Sequence, residues 1–130
     1  MKQNRLPDYL DHIQQAATDA CSFIGGLEKA DFLEDKRTQQ AVVMSLVIIG
    51  EAATKVMDEY PEFVGAHPQV LWRSMRGMRN RIAHGYFAIN LDMVWDTVQT
   101  ALPELLGQLP AVRRGAGDER SDPEADPQPK

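Results

Sequence analysis

The sequence is short of the residues that staple or metallate a fold. There is a single cysteine, Cys21, so no internal disulfide framework is possible, and the chain suits a reducing compartment such as the cytoplasm. The three histidines, His12, His67 and His84, have no metal-ligand spacing between themselves or with Cys21. Neither a metal nor a cofactor is therefore expected. The most apolar stretch, Ala41 to Ile49, is too short to span a bilayer, and Met1-Lys2-Gln3-Asn4-Arg5 does not read as a signal peptide. No strand-like alternation and no internal repeat is present. The most telling absence is local: from Phe63 to Leu91 there is no aspartate or glutamate, yet that window holds Arg73, Arg76, Arg79 and Arg81. The window carries +4 and the rest of the chain −9, for a net charge of −5. An acidic body with a local basic site can still hold a phosphate, because charges beyond a Debye length of about 8 Å are largely screened.

What is there is helical. With 130 residues, 43% of them apolar and 25% charged, the chain is one ordinary globular domain that needs no staples. The spacing predicts a first helix from about Pro7 to Gly25 with a stripe of Leu10, Ile13, Ala17, Ala20 and Ile24, ended by Gly25-Gly26. A second runs from an Asp35 cap to Tyr60 on Val42, Leu46, Ile49, Ala53 and Val56. Val43, Val47 and Ile48 widen that stripe, so this helix is expected to be buried on most sides. Pro61 is expected to stop it. A third is expected to open at Pro68 and end at Ala83 or His84, with Leu71, Met75, Met78 and Ile82 inward and Gly85 in the left-handed conformation. A fourth is capped by Asn90 and carries Leu91, Val94, Val98, Leu102, Leu105 and Leu109, with a kink or restart at Pro103. The fold class is all-α, an up-down four-helix bundle over residues 1–110. Residues 111–130, rich in Gly, Pro, Asp, Glu and Ser, are expected to be a disordered tail.

On a helical wheel built on that inward face, Arg73, Arg76, Asn80 and His84 fall opposite it, with Arg79 and Arg81 on the flanks. That side offers guanidinium groups, an amide and an imidazole with no carboxylate from the same segment. Arginine suits phosphate because its planar fork donates two parallel hydrogen bonds. Histidine suits proton transfer because an unperturbed imidazole titrates near pH ~6.5. Together these types point to RNA cleavage without a metal: the ribose 2′-OH is the nucleophile, the histidine moves a proton, and an arginine stabilises charge on the pentacovalent phosphorus. The lack of a carboxylate cluster argues against two-metal chemistry. The plainer alternatives are a solvated arginine face, a histidine serving only as a dipole partner at a helix end, and a packing role for Tyr86. Arg79 and His84 lie five residues apart, about 140° around an ideal helix. They can share one phosphate only if the helix ends or bends near His84, or if a second subunit supplies one of them.

The run Arg79-Asn80-Arg81-Ile82-Ala83-His84-Gly85-Tyr86 reads R-x4-H-x-Y. With Ile48-Ile49-Gly50-Glu51-Ala52-Ala53, Trp72-Arg73-Ser74-Met75-Arg76-Gly77 and Val94-Trp95 around it, the sequence resembles the HepT-like toxins of the HEPN ribonuclease superfamily over roughly Leu6 to Leu109. The resemblance implies a homodimeric helical bundle with the motifs of two subunits facing one cleft, RNA (transfer RNA among the candidates) as substrate, and Arg79 and His84 as the catalytic pair. It implies that Asn80 orients them or contacts substrate, with Arg76 and Arg73 as further substrate-binding candidates. It also implies a minimal nucleotidyltransferase antitoxin that attaches AMP to Tyr86. There the added anion would compete with RNA phosphate for the arginines. Glu51 could pair with a cleft arginine, position a substrate group or lock the bundle. Trp72, Trp95, Met75 and Met78 read as packing residues, and His12 and His67 as bystanders. The competing function is a non-catalytic helical dimer that binds nucleotide or the nucleotidyltransferase.

Overall fold

A computed structural model describes residues 4–117, all of whose regular elements are helical. The first, α1 (Leu6–Phe23), carries Pro7 in its first turn, where its missing N–H costs nothing. Gly26 follows it at φ +84°, a backbone state that favours glycine. A short α2 (Lys29–Leu33) opens with a reciprocal cap between Glu28 and Asp31. The long α3 (Lys36–Glu59) is capped as anticipated: the Asp35 carboxylate accepts from the Thr38 N–H at 3.1 Å. Hydrogen bonds from Thr38 hold the Asp35 carboxyl below the usual carboxylate range. α3 ends at Glu59, just before Pro61 as anticipated, and Pro61 opens a separate short helix, α4 (Pro61–Ala66).

The motif-bearing α5 (Trp72–His84) starts four residues later than Pro68 suggests. Here Val70 is buried and the His67 carbonyl accepts from both the Val70 N–H and the Trp72 indole. That packing fixes a turn where helix propensity alone predicts another helical turn. Gly85 lies at φ −133°, so the left-handed cap is not used. A 3₁₀ turn (Tyr86–Ala88) leads to α6 (Leu91–Asp96), capped by Asn90 through the Met93 N–H. The rod then continues through a π turn (Thr97–Ala101) into α7 (Leu102–Gly115). Pro103 is thus accommodated by a widened turn, with neither a break nor a restart. The Leu102 N–H reaches back five residues to the Thr97 carbonyl. In that register the partner of the Val98 carbonyl would be residue 103, a proline with no N–H, and the Cys21 thiol donates to that carbonyl at 3.9 Å. Burial raises the Cys21 pKa.

α3 is the centre, with α1 on one side and α5 on the other, and the α6–α7 rod packs on α1. The anticipated stripes of α1 and α3 are all buried, as are Val94, Val98, Leu102, Leu105 and Leu109. Each Val, Leu or Ile among them contributes about 1.5–3 kcal/mol. By length and composition α3 could cross a membrane, but it is the core helix of the bundle. It is also less enclosed than its composition suggests, since Met44 and Ile48, one turn apart, stay exposed. The expected end of the domain at residue 110 falls short, because α7 runs through the exposed Pro110 to Gly115. Val112 is fully buried and Arg113 is only 3% exposed, held by Asp11 and, at 2.6 Å, by Gln14 of α1. The remainder of the expected tail, residues 118–130, lies outside the described residues.

Candidate active site

The inward line of α5 is the proposed one in part. Ile82 is buried and Met75 and Met78 pack half-buried against the core, but Leu71 is 60% exposed and Trp72 is buried in its place. Met75 and Arg79, four residues apart, are the positions that meet α3 at Gly50. Arg79 therefore lies on the helix–helix seam. Gly50 makes this possible. A Cβ built there would lie 2.3 Å from the Arg79 Cβ and 2.7 Å from the Met75 carbonyl oxygen, so the two backbones meet at this glycine.

One turn of α3 then grips the guanidinium. Arg79 Nη1 is 2.7 Å from a Glu51 carboxylate oxygen, and Nη2 donates to the Thr54 hydroxyl at 3.0 Å. That hydroxyl donates in turn to the Gly50 carbonyl at 2.8 Å. Arg79 Nε is buried with no partner among the described residues, while the side chain as a whole stays 25% exposed. Two of the five N–H groups are thus committed to α3, and a quarter of the side chain stays open to solvent. α3 also places Asp58 4.0 Å from Arg76. The arginines of α5 are acid-free only along their own segment. The neighbouring helix supplies carboxylates to two of them, whereas Arg73 and Arg81 make no salt bridge among the described residues.

Asn80, His84 and Tyr86 are exposed at the far end of the helix. α5 remains helical through His84, so the angular offset persists: Arg79 turns onto α3 and His84 faces solvent. Within one chain the structure does not bring this pair together. Tyr86 meets Phe87 edge to face at 5.8 Å, and both rings are exposed. Trp72 and Trp95 are buried, the latter against Phe32. An apolar groove of about 360 Å³ between α5 and the α6–α7 rod is lined by Met75, Met78, Met93, Leu102 and Leu105, and neither Arg79 nor His84 lines it. Among the described residues no three His, Cys, Asp or Glu side chains gather as a metal site.

Sequence reasoning did not name Thr54 or Asp58. A signal was present, since Glu51, Thr54 and Asp58 recur at three and four residues along α3 and so share one face. What the sequence could not supply was that this face meets α5.

Comparison with known proteins bears on the same segment. The family model described as Ribonuclease HepT-like matches residues 13–112. The chain is 36% identical over 107 residues to the "Probable ribonuclease HepT" of Thermococcus cleftensis, covering 82% of this chain and 94% of that one. It is 33% identical over 112 residues to a protein named "Putative RNase MJ0127" from Methanocaldococcus jannaschii, covering 86% and 90%. It is 35% identical over 104 residues to "Putative RNase TTE0752" of Caldanaerobacter subterraneus, covering 80% and 90%. No solved structure matches significantly.

Proposed function

The chain belongs to the HepT-like family of HEPN ribonucleases, and on that premise we propose that it is a metal-independent endoribonuclease using Arg79 and His84, the toxin of a two-component pair. The single observation that carries the reading is the seat of Arg79. A guanidinium fixed by Glu51 and Thr54 on a helix seam, yet a quarter exposed, is pre-organised for an anion whose charge grows during reaction. His84, exposed two residues before Tyr86, is free to exchange protons.

In the reaction the ribose 2′-oxygen bonds to the adjacent phosphorus and the bond from phosphorus to the 5′-oxygen breaks. An imidazole of His84 takes the 2′-OH proton or delivers one to the leaving 5′-oxygen. Arg79 donates to the non-bridging oxygens. The products are a 2′,3′-cyclic phosphate and a free 5′-hydroxyl. Asn80 on the solvent face of α5 contacts substrate, and Arg73 and Arg76 draw the phosphate backbone toward it.

Because Arg79 and His84 leave α5 on different sides, the reading places them in a cleft shared by two copies. The exposed Met44 and Ile48 lie on the turns of α3 that precede Glu51 and provide apolar surface for such a pairing. AMP attached to Tyr86 by a nucleotidyltransferase antitoxin would set a bulky anion beside His84 and silence the cleft.

The test is RNA cleavage by the unmodified protein in excess EDTA, beside Arg79→Ala and His84→Ala. Cleavage by the parent alone, leaving cyclic-phosphate ends, is the expected result. A folded protein whose mass shows no AMP and which cuts no RNA offered refutes it.

A further inference from the structure

The groove that adjoins the motif on its other side is not used by the chemistry above. It is formed where the first two turns of α3, bearing Lys36, Gln39, Gln40 and Val43, face the connector that holds Tyr86 and Phe87. Ile89 and Leu91 complete it, and its volume is about 410 Å³. Pockets of roughly 300–1,000 Å³ take small organic ligands.

Three observations define its chemistry. First, Phe87 is fully exposed, the most exposed of the large apolar side chains among the described residues. Its ring meets Tyr86 at a T-shaped angle, and at full exposure it stays open to solvent. A phenyl ring in solvent beside a reactive motif is a platform without a partner. Second, the lining holds no carboxylate. Its ionisable groups are Lys36 and Tyr86, and the neighbouring Asp35 spends its carboxylate on the N–H and hydroxyl of Thr38. Third, two adjacent amides border the groove. The Gln39 side-chain N–H donates to the Phe32 carbonyl at 2.9 Å, which fixes that amide and leaves its oxygen to accept. Gln40 is exposed and unencumbered. An aromatic face, amide donors and acceptors and one ammonium group, with no acid, are what a single nucleotide requires: stacking for the base, hydrogen bonds for its edge, a cation for its phosphate. Phe87 follows His84 by three residues, so their Cα atoms lie no more than about 11 Å apart.

We propose that this groove is a nucleotide subsite, which binds the base and phosphate of an RNA residue next to the scissile bond, stacked on Phe87 and held by Lys36, Gln39 and Gln40. The subsite rests on the ribonuclease reading for its position beside the cut. The groove itself binds nucleotide whether or not the chain cleaves.

The test separates binding from cleavage. A short fluorescein-labelled RNA with 2′-O-methyl riboses cannot be cut by 2′-OH attack; its affinity is read by fluorescence anisotropy for the parent, Phe87→Ala, Phe87→Trp and Lys36→Ala. Cleavage kinetics of the unmodified RNA and the mass of each variant in solution are measured alongside. Phe87→Ala is expected to weaken binding by about 5- to 150-fold, the range for losing one base–aromatic stack. KM should rise in step with little change in kcat, and Phe87→Trp should restore both. Lys36→Ala should lower the salt sensitivity of binding. If the parent cleaves and Phe87→Ala binds and cleaves as the parent does, the subsite is refuted while the ribonuclease reading stands. If the parent cuts nothing yet its binding depends on Phe87, the subsite stands and the ribonuclease reading falls. If Phe87→Ala turns a dimeric parent into monomers, the ring belongs to a protein interface and the proposal is overturned.

Discussion

Substituting alanine for Gly50 tests the structural argument for Arg79 most directly. The added methyl would sit 2.3 Å from the Arg79 Cβ and 2.7 Å from the Met75 carbonyl oxygen. Ordinary contact begins near 3.4 Å, and neither neighbour is a flexible chain end, so α5 has to withdraw by about 1 Å. Overpacking of this kind costs about 1–3 kcal/mol, a fall in Tm of roughly 4–12 °C. The same withdrawal pulls Nη1 and Nη2 from partners now at 2.7 and 3.0 Å. A misplacement of about 1 Å in a catalytic group lowers turnover by about a hundredfold. Two other helical glycines provide the contrast. At Gly77 a methyl meets only the far end of the Arg81 side chain, at 3.5 Å, and at Gly107 it meets nothing within 4 Å. Alanine at either is expected to stabilise by up to about 1 kcal/mol through helix propensity. Thermal and urea unfolding of the three variants, with RNA cleavage on the same preparations, decides the matter. If Gly50→Ala is as stable as the parent, or if the other two lose as much as it does, the close approach at Gly50 does not govern the seam.

Removing the charge of Glu51 while keeping an acceptor, as Glu51→Gln, should lower kcat about tenfold with KM little changed, and Glu51→Asp should recover part of it. Unchanged or faster cleavage shows that Glu51 does not position Arg79. A chain ending at Pro110 should be less stable than one ending at Gly117, because it loses the buried Val112, worth about 1.5–3 kcal/mol, together with the Arg113 tie to α1. Equal urea midpoints contradict the packing of α7 on α1. Asp35→Ala should destabilise α3 at neutral pH. The Asp35 carboxyl is depressed in the folded state, so its contribution is present above the ordinary carboxylate pKa and lost as pH falls through the lower folded value. The gap between parent and variant should therefore close in acid, and a gap that persists unchanged at the lowest pH where both fold disproves the cap. Lys29 works in the opposite direction. Its hydrogen bond to Asp92, at 2.9 Å, raises its pKa, so that pair is intact below the usual lysine range and fails as pH rises through the folded value.

Much of the bundle was legible because its helices obey one period. Leu10, Ile13, Ala17 and Ala20 in α1, and Val42, Leu46, Ile49, Ala53 and Val56 in α3, are the residues that pack, since burial of a helix face needs little beyond that spacing. The caps Asp35 and Asn90 were legible for the same local reason. α5 is only partly legible because its seam includes an arginine. A wheel weighted by hydrophobicity chooses Leu71 and Met78 over Arg79, whereas the partner helix, with Gly50 for room and Glu51 and Thr54 for charge and hydrogen bonding, makes Arg79 the better fit. That preference belongs to the pair of helices. The end of the domain was placed too early for a related reason: Arg113 reads as a solvated charge until Asp11 and Gln14, about a hundred positions earlier, are known to face it.

The π turn at Thr97–Ala101 bears on which insertions and deletions the gene can tolerate. A turn of this kind behaves as one surplus residue lodged in a helix. Deleting one residue from it removes that surplus, so the rod would relax to regular α-helix with its downstream faces kept in phase. Leu102, Leu105, Leu109 and Val112 would stay toward the core, and Arg113 would keep Asp11. The same deletion inside α7 has no surplus to absorb it and would rotate everything downstream by about 100°. Among descendants of this gene, a lost codon should therefore be tolerated within these five positions far better than along α7.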